Sequence, residues 1–289
     1  MGPLRARLDP RRWHFQHGPI DLVLEAFGPG DAAAVANELA WRRFAPILDE
    51  LVAELPALRQ PLEGHPALHG PVARRMVAAC LPYHGAFITP MAAVAGAVAD
   101  EVLGAMVSGG GLRKAYVNNG GDIALHLAND ETFRVGLIAD ADRATRHGHR
   151  LAVDGRFELS APMPVRGVAT SGWRGRSWSL GIADSVTVLA RDGAAADAAA
   201  TMIANAVYVD HPAVRRRPAS EVDDNTDLGA LPVTVDVAPL PELAVDAALA
   251  SGVARAEGLL GRGLVWGAVL VLQSRVRVVG GVAAAARLH

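Results

Sequence analysis

The 289 residues are 51% hydrophobic and 20% charged, a composition that buries a large core and excludes a disordered or fibrous chain. A formal net charge of −2 supplies no broad electropositive field, so binding to nucleic acid or to an anionic membrane surface is not expected. Cys80 is the single cysteine, which excludes an intrachain disulfide and a cysteine-based zinc centre and fits a reducing compartment.

Residues 1–16 carry charges but neither an apolar stretch nor a small-residue cleavage site, so no export signal is expected and the cytoplasm is the expected location. The longest apolar run, Leu264–Leu272, falls short of the roughly 20 residues a membrane span needs and reads as a buried strand. Short basic clusters at Arg11-Arg12 and Arg215–Arg217 read as solvated turns.

Along the chain, Trp13–Gln16 and Ile20–Ala26 are extended runs around His17-Gly18-Pro19, a hairpin signal. Asp31 is placed to cap a helix reaching about Leu55, which Pro46 should kink or split. Residues 56–71 should be irregular, and Pro71 should open a helix to about Leu81. His84 follows in a turn, where an exposed or capped imidazole is the plain expectation. Thr89 as cap and Pro90 as first helical residue start an Ala-rich helix that ends at Ser108 and three glycines. Gly96, amid alanines, implies that something approaches the backbone closely.

Lys114–Val117 and Ile123–Leu127 are strands around Asn118-Asn119-Gly120-Gly121-Asp122. The plain reading is a tight turn; the sharper one gives Gly120 and Gly121 ligand-binding amides and Asp122 an acceptor. Thr132–Ala139, Arg156–Leu159 and Val165–Ala169 are further strands. Asp142, His147 and His149, in the polar loop 140–150, are a weak chelating set. Thr170-Ser171-Gly172 at a strand end offers two hydroxyls and a close-approach backbone. Trp173 and Trp178 flank a basic loop that either stacks on a heterocycle or covers the core. Residues 211–230 are a Pro/Asp-rich excursion, followed by a strand at Val233–Val237, a helix over Glu242–Gly258 and strands at Leu264–Leu272 and Val276–Val279.

The strand Ser185–Ala190 leads through Arg191-Asp192-Gly193 into the helical stretch Ala194–Val207. Asp197 and Thr201 lie four residues apart on it and so share a face, aiming a carboxylate and a hydroxyl at one point. With a backbone carbonyl they make a partial site for a hard cation such as Mg²⁺. A packing helix whose Asp serves the dipole and the cap explains the same pattern.

Taken in order, PMAAVAGAVADEV, VNNGGDIAL, VATSGW and SVTVLARDGAAADAAATMIANAV resemble the ApbE-like superfamily, closest to its uncharacterised-protein-family branch, over most of residues 84–210. The best-known members are FAD:protein FMN transferases, which use Mg²⁺ to move FMN from FAD onto a protein Thr or Ser. Together with the Ala-rich helices Met91–Val107 and Ala194–Val207, each beside strands and a Gly-rich turn, the resemblance implies an α+β fold of mixed or antiparallel sheets covered by helices, in two pseudo-related halves of a single 1–289 domain. It also implies Mg²⁺ held by Asp197, Thr201 and a carbonyl near Val94. Asn119, Gly120, Gly121, Asp122, Thr170, Ser171 and Gly172 would line the site for FAD or a related nucleotide. Ala95-Gly96-Ala97 stands where transferases carry Lys-Gly-Tyr, and RGRSWSLG replaces their His and Asp-Pro pattern. Three functions are consistent with this: a Mg²⁺-dependent enzyme on a flavin or another phosphorylated or heteroaromatic small molecule, with an acceptor protein; a non-catalytic flavin- or nucleotide-binding module; or a structural protein. Ala/Val-rich surfaces make a homodimer reasonable.

Overall fold

The computed structural model describes residues 2–64, 66–137, 155–175, 177–282 and 286–288. Two compact units alternate along the chain: Met1–Thr132, Ser160–Ala169 and Ala190–Ala198 form the first, and Phe133–Leu159, Thr170–Leu189 and Ala199–His289 the second. The class is α+β, with antiparallel sheets and helices, as expected.

In the first unit β1 (Leu4–Arg7), β2 (Arg12–His17), β3 (Ile20–Phe27), β4 (Lys114–Asn119) and β5 (Asp122–Leu127) follow one another as antiparallel neighbours. Gly18, at φ 56°, makes the expected β2–β3 turn. In β3 Ile20, Leu22, Leu24 and Ala26 are buried while the residues between them are half-exposed, the period-2 signature of a sheet covered on one side. Register sets Leu22, Leu24 and Ala26 beside Asn119, Val117 and Ala115, so that face continues into β4.

The cover is helical: α1 (Ala32–Phe44), α2 (Ile47–Leu58), α3 (Pro71–Cys80) and α4 (Val94–Ser108), with α1 and α4 packed on one another and α4 lying on β4 and β5. Pro46 splits α1 from α2, and α2 runs past the expected end to Leu58. Phe15 and Phe44 anchor this core with ring centroids 5.4 Å apart. By length and composition Pro90–Ser108 could cross a membrane, but seven residues of α4 are buried within the folded chain. Two expected caps differ. Asp31 makes no side-chain cap bond, and neither does Thr89, because Pro90–Ala93 is a 3₁₀ turn and the α-helix starts only at Val94.

After β5 come β6 (Thr132–Leu137) and β7 (Gly155–Ser160), then β8 (Gly167–Ser171), whose Gly167 and Val168 pair with Ala124 and Ile123. Asp142, His147 and His149 lie outside the described residues. Thr170 and Ser171 are the last residues of β8 rather than a turn beyond it, because the strand begins two residues later than expected.

In the second unit β9 (Ser185–Ala190) pairs antiparallel with β12 (Gly267–Leu272), which pairs with β13 (Arg275–Gly280). Every residue of β9 and β12 is buried, which accounts for the unbroken apolar run. β10 (Val214–Pro218) and β11 (Pro232–Val237) form a two-stranded sheet, so Arg215–Arg217 sit in a strand and not in a solvated turn. Alternation Val-Arg-Arg-Arg-Pro hid it: only backbone pairing with β11 makes that sequence extended. β14 (Ala286–Leu288) joins β7 and β6 in a three-stranded sheet. Helix α5 (Gly193–Ala206) follows β9, and α6 (Glu242–Gly261) packs on β12 and β13.

Candidate functional site

The site of the first unit is built where α4 meets the start of α5. A Cβ on Gly96 would stand 2.2 Å from the carbonyl oxygen of Gly193, so only glycine permits this approach. At that distance each helix start lies within reach of the other helix's first acidic side chain. Asp197, one turn into α5, accepts a hydrogen bond from the Gly96 amide at 3.0 Å and another from the Ala95 amide. Asp100, one turn into α4, accepts from the Gly193 amide at 2.9 Å and from the Ala194 amide at 2.8 Å. Asp192 takes the Ala195 amide at 2.7 Å and completes the first turn of α5. The start of α4 is therefore capped from another helix, which is why Thr89 is not needed there.

Asp197 thus fills the cap-and-dipole role that its spacing allowed, on a neighbouring helix rather than its own. Asp100 was not singled out in the sequence. The signal that could have found it is a recurrence: Gly96-Ala-Val-Ala-Asp100 and Gly193-Ala-Ala-Ala-Asp197 share glycine and aspartate at the same spacing.

The β4–β5 turn borders this crossing. Gly120 and Gly121 have φ of 65° and 117° and close a two-residue hairpin between Asn119 and Asp122, which are register partners. The Gly121 amide donates to the Asn118 side-chain oxygen at 2.8 Å, so it is committed to the turn. Asn119 donates its side-chain amide to the Ala95 carbonyl at 3.1 Å, fixing the Ala95–Gly96 peptide next to Val94.

Burial pushes the Asp197 carboxyl well above its ordinary range; the negative charge of Asp122 adds to this, the Gly96 and Ala95 amides oppose it, and Asp100 contributes in the upward direction. Burial likewise raises Asp100 to about 6, against the pull of its two amide donors and with Asp192 adding to the rise. Cys80, buried nearby, is raised chiefly by burial and secondly by Asp197.

In the second unit Thr170 is exposed and its hydroxyl shares a hydrogen bond with Thr187 at 2.8 Å. Gly172 is a close-approach position, since a Cβ there would meet the Asp184 carbonyl oxygen at 2.4 Å. Asp184 accepts from the Trp173 indole at 3.3 Å and the Arg174 guanidinium at 3.1 Å, and Arg174 lies 4.7 Å over the Trp173 ring. Among the described residues, that loop is tied to the protein's own carboxylate. His84 binds the Leu81 carbonyl at 2.9 Å in an exposed turn, the plain expectation for it.

Thr201 follows Asp197 by one helical turn on α5; carboxylate, hydroxyl and peptide carbonyl oxygens are the donor types a hard cation takes. Among the described residues no group of three or more His, Cys, Asp or Glu side chains is placed to hold a metal, so any cation here depends on carbonyl, hydroxyl or ligand oxygens as well.

The family model described as "AbpE bacteria" matches residues 5–278. The chain belongs to this ApbE-like family. A "UPF0280 protein" of Methanosphaerula palustris is 38% identical over 185 residues, 60% of this chain and 72% of that protein. Among solved structures, the flavin transferase ApbE of Vibrio cholerae, in a mutant form, superimposes with a TM-score of 0.51 at 11% identity, covering 96% of this chain and 98% of that one. The apo flavinyl transferase ApbE of Pseudomonas stutzeri gives a TM-score of 0.50 at 13% identity, covering 96% and 94%. At such identities the likeness of this ApbE-like chain to the transferases is one of fold.

Proposed function

We propose that this ApbE-like chain is a Mg²⁺-dependent enzyme of the transferase class, acting on a flavin or another phosphorylated, heteroaromatic small molecule. One observation carries the reading: the desolvated Asp197 carboxylate is held on the first-turn amides of α4 while facing the negative charge of Asp122. A desolvated carboxylate beside a second, half-exposed one favours a cation between them and the ligand, because its charge offsets the repulsion and the desolvation of Asp197. The transferase fold of the Vibrio and Pseudomonas proteins supports the flavin part of the reading.

Mg²⁺ held by Asp197, Thr201 and a carbonyl near Val94 would supply charge neutralisation at a pyrophosphate. Asn119 keeps the neighbouring Ala95 carbonyl oriented. Gly120 and Asp122 face the ligand, Gly121 shapes the turn, and Thr170, Ser171 and Gly172 supply hydroxyls and close backbone to it. The group accepting the transferred portion is a protein Thr or Ser in this reading. Incubation with FAD, Mg²⁺ and candidate acceptor proteins should release AMP. Asp197→Ala should abolish both that release and the melting shift that Mg²⁺ and FAD produce together, and an unchanged shift removes the proposal.

A second reading, a flavin- or nucleotide-binding module without turnover, is favoured by Ala95-Gly96-Ala97, which brings neither ring nor cation to the start of α4. Saturable FAD binding without AMP release selects it.

A further inference from the structure

A cavity of about 450 Å³ lies in the first unit away from the α4–α5 crossing and shares no residue with it. One wall is the flank of the first two turns of α1, formed by Gly30, Ala33, Ala34, Asn37 and Glu38. This first turn holds no acidic residue and its Asp31 makes no side-chain cap. The amides of Ala32 and Val35 are bound to Pro29 and Asp31 carbonyls, whereas among the described residues those of Ala33 and Ala34 have no acceptor. The positive end of this thirteen-residue helix therefore lies beside the Gly30 edge of the cavity, where its field adds to that of the guanidiniums.

The facing wall carries Arg5 and Arg7 on β1 and Arg11 in the turn after it. Arg5 is held by Glu38 at 2.9 Å and lies 5.1 Å over Trp41; Arg7 is held by the Pro10 carbonyl and lies 5.7 Å over Trp13. Stacking orients the guanidinium planes and leaves N–H edges open, since among the described residues each of these two uses one of its five donors. Arg11 has no carboxylate partner for its guanidinium among the described residues. Three guanidiniums meet one carboxylate, Glu38.

We infer that this cavity is a binding site for a small organic phosphate. The phosphate oxygens sit against the guanidinium forks, whose planar donors match them in pairs, with the positive end of α1 beside them. Excess charge of about two positive units suits a phosphate dianion, and the volume leaves room for an organic group of ordinary small-ligand size.

The test uses the full-length protein and inorganic pyrophosphate as probe, in EDTA and at constant ionic strength set with sodium chloride, followed by calorimetry and tryptophan emission. Saturable binding is expected, weakened at least tenfold by Arg11→Glu and by Arg7→Glu, and retained in Asp197→Ala. Trp13→Phe should keep the heat and lose most of the emission change. Absence of saturable binding overturns the inference, as does affinity unchanged in both arginine variants. Binding lost in Asp197→Ala also overturns it, by assigning the probe to the helix crossing instead. Because Arg11 is exposed, its charge reversal leaves the fold intact, which a melting curve checks.

Discussion

Asp100 and Asp197 exchange caps: each stands one helical turn beyond a glycine and accepts the first-turn amides of the helix that carries the other. The exchange needs the close contact of Gly96 with Gly193, and it concentrates three aspartates, with Asp122, at two helix starts. Backbone amides hold the carboxylates in place while burial makes their charge costly. That combination ties the two helix starts to one another.

Asp100 makes stability depend on pH in the direction opposite to an ordinary surface carboxylate. Its carboxyl, normally titrating at 3.8, is raised to about 6 in the folded protein. Between those values the folded state binds the extra proton, so this contribution is fully present below pH 3.8 and is lost as pH rises through 6. The change is on the order of 2–3 kcal/mol. Asp100→Asn should flatten that part of the profile, compared by chemical denaturation at pH 4.5 and 7; an unaltered slope would exclude Asp100 as its source.

Two glycines of one helix should respond with opposite signs. Gly96→Ala forces a methyl group against the Gly193 backbone and should cost roughly 2–3 kcal/mol or more, since neither helix start can move without losing caps. Gly104 has open space around a built Cβ, and Gly104→Ala should stabilise by about 0.5–1 kcal/mol through the helix interior. Equal effects in thermal melts would mean that the crossing is looser than its distances.

Asn119 holds a carbonyl rather than serving only as a turn residue. Asn119→Ala should lose about 1 kcal/mol and shrink the Mg²⁺-dependent melting shift. Asn119→Asp adds a carboxylate beside Asp122 and Asp197, so it should lower the melting temperature without Mg²⁺ and recover part of it on Mg²⁺ addition. If the two variants behave alike in the presence and absence of Mg²⁺, the residue has no part in holding a cation.

Cys80 should be inert while the chain is folded. Its thiol is buried and pushed upward by that burial and by Asp197, so little thiolate forms at pH 8. A disulfide-exchange reagent should label it at the rate of unfolding, with Asp197→Asn leaving the labelling slow because burial dominates. Fast labelling of native protein would show that the thiol reaches solvent.

Sequence alone determined most of the local elements. Gly18 and the Gly120-Gly121 pair announced their turns because positive φ is cheap only for glycine, and Pro46 split a helix because proline has no amide to give. Gly96 signalled a close neighbour, and four short motifs in order placed the chain among ApbE-like proteins, the family whose model spans residues 5–278. Tertiary structure decided the rest. Val214–Pro218 became a strand only by pairing with Pro232–Val237, and α4 began at Val94 because Asp197, a hundred residues later, binds its first amides. Asp100 was hidden for the same reason: the amides it caps belong to another helix, and no local pattern states which helix that is. Periodicity and turn chemistry act over a few neighbouring residues and can be read along the chain, whereas a capping partner, a desolvated charge or a strand's mate exists only once distant segments have packed.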